Sequence, residues 1–202
     1  MVLNSDGEAE KAMMDGEELL KRYAAGERDF QGLDLTGANL AAANLRLINL
    51  SGCVMEGVNL TGAILRGANL SSADFSGADL SRADLTAAYL TRVDLIGAKL
   101  ERAKLMGTRL MNAELIAADL SGANLTGANL HGADMRRANL SFANLSDSLL
   151  IAVDLTDANL SNANLHRTDL IDANLKGADL TQTDIHDAEL TGATMPDGSI
   201  YQ

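Results

Sequence analysis

The chain has 202 residues, with 16 Lys and Arg against 28 Asp and Glu, and a formal net charge of −12. It is 47% hydrophobic but only 3% aromatic, with one Cys, one Pro and no Trp. This content is too apolar for disorder, and one cysteine excludes a disulfide framework or a Cys-rich metal site. The sequence contains no apolar run of about 18 residues, so no membrane span is predicted. The acidic first residues lack a signal-peptide pattern, so a cytoplasmic location is expected.

The N-terminal segment up to Arg28 predicts a tail and then a helix. Residues 1–12 are interpreted as a flexible tail. The segment Asp15-Gly16-Glu17-Glu18 is typical of a helix start, because an acid follows three residues after a capping Asp. An apolar face follows, formed by Leu19, Leu20, Tyr23 and Ala24. With Gly26 as the stop, we predict a helix over residues 16–25, inside a capping segment at 13–28.

A period of five residues dominates the rest of the chain. From Phe30 to Met195 every fifth residue is Leu, Phe, Met or Ile, at 34 consecutive positions. Two residues earlier Ala fills 23 of 33 positions, and Asp or Asn fills 24 of the 33 positions between. The unit is therefore Ala-Asp/Asn-Leu-x-x, and the second x is Gly in 14 units.

This period fits neither a helix nor a single strand. Steps of five would spread the Leu residues around a helix, and would alternate them between the two faces of a strand. A short extended piece followed by a turn does fit, with Gly where the turn needs positive φ. If each turn is close to a right angle, four such units close one coil, and equivalent positions of successive coils are then separated by four units.

The segment Ala123-Asn124-Leu125-Thr126-Gly127-Ala128-Asn129-Leu130 resembles the motif of the pentapeptide-repeat family. The resemblance covers residues 29–195 and implies an all-β fold. The expected architecture is a right-handed, four-sided parallel β-helix of about eight coils with an N-terminal capping α-helix, similar to members common in photosynthetic bacteria. Leu and Ala would line the interior. Pro196 removes a ladder donor, so residues 196–202 are expected to form a short tail that leaves the last edge open.

The sequence carries none of the common patterns for catalysis or phosphate binding. We therefore expect no enzyme activity, no catalytic residue and no cofactor. Cys53 stands at an Ala position and is expected to be buried. His166 and His186 are separated by four units and should stack on successive coils, with Asp187 beside the second. They are a metal candidate with two ligands, whereas a structural zinc site uses four, and solvated corner residues are the simpler interpretation.

Charge is distributed unevenly along the repeat. Residues 1–29 carry a net −4, residues 30–137 are neutral, and residues 138–202 carry a net −8. The neutral part includes a basic belt of Arg82, Arg92, Lys99, Arg102, Lys104 and Arg109. The acidic part favours solubility, or else it forms a docking surface for a basic partner. The candidate acidic residues are Asp154, Asp157, Asp169, Asp172, Asp184 and Asp187.

Outward apolar residues in register predict an interaction surface. Counting by four units places Ile151 and Ile171 in one column with Met111 and His131, while Tyr89 and Leu149 replace outward Asp or Asn beside it. A neighbouring face adds two further residues, Ile96 and Ile116. We therefore expect a non-enzymatic structural or protein-interaction scaffold whose protein partner is unknown.

The resemblance also implies an alternative function. Fluoroquinolone-resistance members of the family are dimers, joined at their C-terminal ends, that mimic DNA and bind DNA gyrase. A homodimer through the C-terminal end would centre the acidic residues 138–202 in this chain. Three features argue against gyrase: a centre almost uniformly of Leu rather than Phe, an uninterrupted repeat, and the basic belt. With a net charge of −12, we expect no direct nucleic-acid binding, and no association with membranes.

Overall fold

The computed structural model describes residues 12–202, and within them it contains one α-helix, α1, spanning Gly16–Ala24. The Asp15 side chain caps α1 by accepting the backbone N–H of Glu18 at 2.8 Å, which confirms the predicted helix start. Leu19 of α1 is buried in the same apolar cluster as the repeat. Apart from residue 12, the predicted tail lies outside the described residues. No helix in the described part of the chain is long and apolar enough to cross a membrane.

The repeat forms coils of four units each, as expected for turns close to a right angle. Parallel bridges join the outward residue before each central Leu to the equivalent residue four units later, from Asp29–Asn49 to Asn174–Thr194. No strand within residues 12–202 is longer than one bridging residue. A turn follows every central residue, so each coil has four sides. Faces 1, 2, 3 and 4 are named from Phe30, Leu35, Leu40 and Leu45, respectively, with every fourth central residue after each.

The core is a stack of the central residues with the small residues two positions earlier. Every central residue from Phe30 to Leu175 is at most 2% exposed. Cys53 is also buried, as predicted, and its thiol donates to the carbonyl oxygen of Phe30 at 3.0 Å. Leu and Ala side chains fill almost every level of the coil, which explains why the chain contains so few aromatic residues.

One unit shows where its five backbone N–H groups go. Leu125 and Gly127 donate to carbonyls of the next coil, Asn124 donates to the previous coil, and Ala123 closes the preceding turn. The N–H of Thr126 donates instead to the side chain of Asn124 at 3.0 Å, and the same bond recurs along the repeat. Asp and Asn are therefore needed because stacking leaves one N–H per unit for a side chain.

The turns use left-handed backbone more widely than the glycines predict. The second x residue has positive φ in all 33 units from Gly32 to Gly192, and 19 of these residues are not Gly. They include bulky residues such as Leu47, with φ of 57°, and Phe142, with φ of 59°. The bonds between coils hold this geometry although each such residue is strained by about 1 kcal/mol.

The C-terminal residues turn back on the last coil. Ile200 forms an antiparallel bridge with Thr194, and the carbonyl of Pro196 still accepts a backbone N–H from the coil above. Beside this hairpin, Ile185 is 42% exposed and Leu180 is partly exposed, although both occupy central positions. Faces 3 and 4 of the last described coil therefore present core side chains.

Candidate interaction surfaces

The structure stacks the two candidate histidines on face 4. The ring centroids of His166 and His186 are 5.9 Å apart, with an interplanar angle of 11°. Nδ1 of His166 lies 3.1 Å from the backbone oxygen of His186, a contact that favours the tautomer with the proton on Nδ1. Within residues 12–202, no group of three or more His, Cys, Asp and Glu is arranged to hold a metal ion. The pair stays a two-ligand candidate, short of the set that structural zinc uses.

The six acidic candidates lie on three different faces. Face 2 carries Asp154 and Asp157, face 1 carries Asp169 and Asp172, and face 4 carries Asp184 and Asp187. Asp154 also accepts the backbone N–H of Thr156 and lies 3.9 Å from Nε of Arg136. The acidic residues are thus close along the sequence but do not form one flat surface, so a basic partner would have to wrap around the rod to contact all of them.

Face 1 brings most of the apolar candidates together. The face-1 stripe consists of Tyr89, Met111, Leu149, Ile151 and Ile171. Tyr89 and Leu149 stand in the outward Asp/Asn column and are 41% and 42% exposed. Met111, Ile151 and Ile171 occupy the next column and are partly exposed. The coil register therefore brings residues that are far apart in the sequence onto one face, where Arg109, Asn129 and His131 lie between its two apolar ends.

The face-1 stripe weakens the local backbone hydrogen bonding. Tyr89 and Leu149 cannot accept the N–H two residues later, as Asp or Asn does elsewhere in the column, so Thr91 and Ile151 lose that side-chain bond. A typical hydrogen bond contributes about 1 kcal/mol to stability. At the top of the stripe, the Arg109 guanidinium lies over the Tyr89 ring, 4.6 Å from its centroid, which fixes the ring orientation. The fold alone gives no reason for these apolar substitutions.

The structure separates Ile96 and Ile116 from the face-1 stripe. Both lie on face 2, and Ile116 borders an open groove of about 360 Å³ that Arg136, Arg137 and Asp157 also line. Arg136 is held by Asp134, with Nη2 and Oδ2 2.7 Å apart. Together the two isoleucines form a smaller apolar patch on the adjacent face.

Face 4 contains an ion pair that the sequence analysis missed. Arg66 contacts Asp84 through two bonds, each of 2.7 Å, and the Asp84 side chain is only 9% exposed. Burial alone would raise the pKa of the Asp84 carboxyl, but hydrogen bonds from Arg66 and Thr86 and the positive charge of Arg66 hold that pKa below its ordinary value. Arg66 and Asp84 are 18 residues apart in the sequence. In coils of four units this separation places them beside each other on successive coils, so the pair could have been predicted from the spacing.

Comparisons with known proteins show which proteins share this repeat and architecture. The family model described as pentapeptide repeats matches in eight copies, over residues 29–67, 68–107, 113–150, 148–187 and 158–195. One similar solved structure is HetL, a pentapeptide-repeat protein involved in heterocyst differentiation regulation in the cyanobacterium Nostoc sp. strain PCC 7120. HetL is 36% identical to this chain, and the match covers 93% of this chain and 100% of HetL, with a TM-score of 0.41. The pentapeptide-repeat protein alr5209 from Nostoc PCC 7120 is also 36% identical, covering 55% of this chain and 84% of that protein, with a TM-score of 0.31.

A more distant structure shares the fold alone. QnrB1, a plasmid-mediated fluoroquinolone resistance protein, is 17% identical; the match covers 92% of this chain and 90% of QnrB1, with a TM-score of 0.50. No curated protein sequence matches this chain. The repeat matches and the identity to HetL show that the chain belongs to the pentapeptide-repeat family, whose members fold as right-handed four-sided β-helices and are generally structural or interaction proteins.

Proposed function

We propose that this chain is a non-enzymatic docking rod of about eight coils, with α1 as its N-terminal cap, that holds a partner protein on the face-1 stripe. The observation that carries the proposal is the pair Tyr89 and Leu149, which are 41% and 42% exposed where Asp or Asn would bond the backbone. Apolar residues at these positions weaken the coil and expose apolar surface to water. Binding of a partner gives both features a function.

The geometry of the stripe supports an elongated contact. From Tyr89 to Ile171 the stripe spans four coil steps, about 19 Å along the axis at strand spacing. Tyr is among the residue types that contribute most to interface energies, and here its ring is oriented by Arg109. A partner helix or extended segment lying parallel to the rod axis would cover the whole stripe.

The test is a pull-down from the native host with tagged protein, followed by a binding titration with the purified partner. We expect the double variant Leu149→Asp/Ile151→Asp to lose the partner that the wild type retains. The matched control is Ile96→Asp, because Ile96 is 37% exposed but lies on face 2. Equal binding of the stripe variant and the wild type would overturn the proposal.

The alternative function is mimicry of DNA at DNA gyrase, supported by the fold shared with QnrB1. The positions of the charged residues argue against this alternative, because the six acidic candidates lie on three faces and the basic belt occupies coils that precede them. In a supercoiling assay we expect no inhibition of gyrase by this protein at micromolar concentration. Dose-dependent inhibition would favour the gyrase function over the docking rod.

The homodimer expected through the C-terminal end is also a proposal. Partial exposure of Leu180 and Ile185 beside the hairpin supports it, because a second copy would return these core residues to an apolar environment. The cytoplasmic location stays a prediction, for which fractionation of host cells is the direct test.

A further inference from the structure

The N-terminal half of face 4 is basic, although the molecule as a whole is acidic. We define the basic panel as residues 42–47, 62–67, 82–87 and 102–107, which form face 4 and its corner with face 3 on four successive coils. Its cations are Arg46, Arg66, Arg82, Arg102 and Lys104. Asp84 is its one acidic residue, so the panel carries a net +4 in a chain of net −12. In the bordering column of face 3 the panel meets a single acid, Glu101.

Most of these cations are not neutralised by the fold. Asp84 is used by Arg66, and within the described residues none of the other four panel cations forms a salt bridge. Arg82 and Arg102 occupy the same corner of successive coils, about 4.8 Å apart at strand spacing. Like charges in that position repel and destabilise the stack. The panel therefore lowers the stability of the free rod, and a bound anionic group would relieve the repulsion.

Apolar side chains lie among the cations. Leu47 is 70% exposed and Met106 is 38% exposed, and Ile64 is partly exposed between them. A Cβ atom added to Gly67 would meet Cδ2 of Leu47 at 2.8 Å, so the Leu47 side chain lies flat along the face in the space that Gly67 leaves open. The panel is thus a flat surface that combines positive charge with apolar contact area.

This combination discriminates between anionic ligands. Nucleic acid binds through its phosphates, which gain nothing from Leu47, Ile64 and Met106. A membrane-binding face buries its apolar side chains about 5–10 Å into the lipid interface, and Leu47 lies flat instead of projecting. An acidic polypeptide with apolar side chains among its carboxylates matches both components of the panel.

We propose that the basic panel binds an acidic, apolar-containing segment of a partner protein, lying along the rod axis. The three coil steps from Leu47 to residue 107 span about 14 Å, the length of roughly four to five extended residues. Guanidinium groups pair with carboxylates through two parallel hydrogen bonds, which gives Arg82 and Arg102 a specific ligand group. This surface is distinct from the face-1 stripe and does not depend on it.

The probe is a fluorescent twelve-residue peptide of three Asp-Glu-Leu-Gly repeats, titrated with the full chain in fluorescence anisotropy at low salt. We expect Arg82→Gln/Arg102→Gln to weaken binding by about tenfold. The control Arg92→Gln/Lys176→Gln removes the same charge from faces 1 and 2, and we expect it to change the affinity by less than about twofold. Replacing each Leu of the peptide with Ser should weaken binding by about fivefold, because the apolar contacts are lost.

Several outcomes would overturn the proposal. Failure of the wild type to bind the peptide at about 1 mM protein would do so, as would equal losses in the panel variant and the control. Panel-dependent binding of a short DNA duplex or of phosphatidylserine vesicles, tighter than that of the peptide, would replace it with nucleic-acid or lipid binding. Circular dichroism identifies misfolded variants, and Lys104→Gln is the milder substitute. Leu149→Asp/Ile151→Asp should leave peptide binding unchanged, which separates this test from that of the face-1 stripe.

Discussion

Two consecutive alanines at the boundary between two units have opposite structural requirements. Ala87 is an exposed turn residue with φ of 57°, a conformation that glycine adopts without strain. Ala88 is completely buried in the inner column, where its methyl group packs against the neighbouring coils. The same substitution at these positions therefore separates backbone strain from core packing.

We expect Ala87→Gly to raise the free energy of unfolding by about 0.5–1 kcal/mol, because glycine removes the left-handed strain. Ala88→Gly should lower it by about 1–2 kcal/mol, because a buried methyl group is lost and the unfolded chain gains freedom. Urea unfolding followed by circular dichroism measures both changes. Changes of the same sign in the two variants would contradict this account of the turn.

The Arg66–Asp84 pair predicts a pH dependence of stability. The pKa of Asp84 in the folded chain is below its ordinary value, so the pair stabilises the fold above the unfolded pKa of about 4, and this stabilisation is lost as the pH falls through the folded pKa. We expect wild type to exceed Asp84→Asn by about 1–2 kcal/mol at pH 7, with the difference shrinking below pH of about 4. Unfolding titrations across this range measure it. Arg66→Gln should show the same convergence with wild type, and a difference that persists in acid would rule out the ion pair as its source.

At the scale of elements, the outward Asp/Asn column both caps the turns and links the coils. Asn139 accepts the N–H of Ser141, donates its Nδ2 to Asp119 at 3.0 Å, and accepts Nδ2 of Asn159 at 3.3 Å. Asn144 accepts only the local N–H of Ser146 among the side-chain bonds of the described chain. Both asparagines are partly buried, so they form a matched pair.

We expect Asn144→Ala to lower the free energy of unfolding by about 1 kcal/mol, for one lost hydrogen bond. Asn139→Ala should lower it by about 2–3 kcal/mol, because two links between coils are lost as well. Thermal and urea unfolding of both variants provide the comparison. Equal losses would show that the links between coils add nothing to the local cap.

Features that depend on spacing within and between adjacent units could be predicted from the sequence, whereas features that depend on several stacked coils could not. The five-residue period predicts the coil and the inward position of Cys53, because both depend on the spacing within and between adjacent units. The left-handed turn was expected only at glycines, because local propensity disfavours Leu47 in that conformation and the stacking bonds override it. The predicted basic belt included Arg82, Arg102 and Lys104 but not Arg46 and Arg66, because these two join the other panel cations only when four coils are stacked. The hairpin at Ile200 depends on pairing with the preceding coil, which the repeat does not encode.

At the scale of the whole molecule, the two proposed docking surfaces lie on adjacent faces of one narrow rod. The basic panel occupies the N-terminal half of face 4, while the face-1 stripe continues into the more acidic C-terminal half. No loop interrupts the repeat between residues 30 and 195, so each face is a straight column of side chains at strand spacing. Partners would therefore bind side by side along the rod, and each contact can be removed without changing the other.

The exposed core residues at the C-terminal end predict a dimer whose formation depends on salt. A second copy covering Ile185 would bury apolar surface but bring Asp179, Asp184 and Asp187 of the two copies together. Salt screens that repulsion, so we expect the dimer fraction in light scattering to rise from about 50 mM to about 500 mM salt, whereas peptide binding on the basic panel should fall. Ile185→Asp should give a monomer, and Ile96→Asp on face 2 should dimerise like the wild type. A monomeric wild type at high concentration and high salt would exclude this interface, and equal loss in both variants would place it elsewhere.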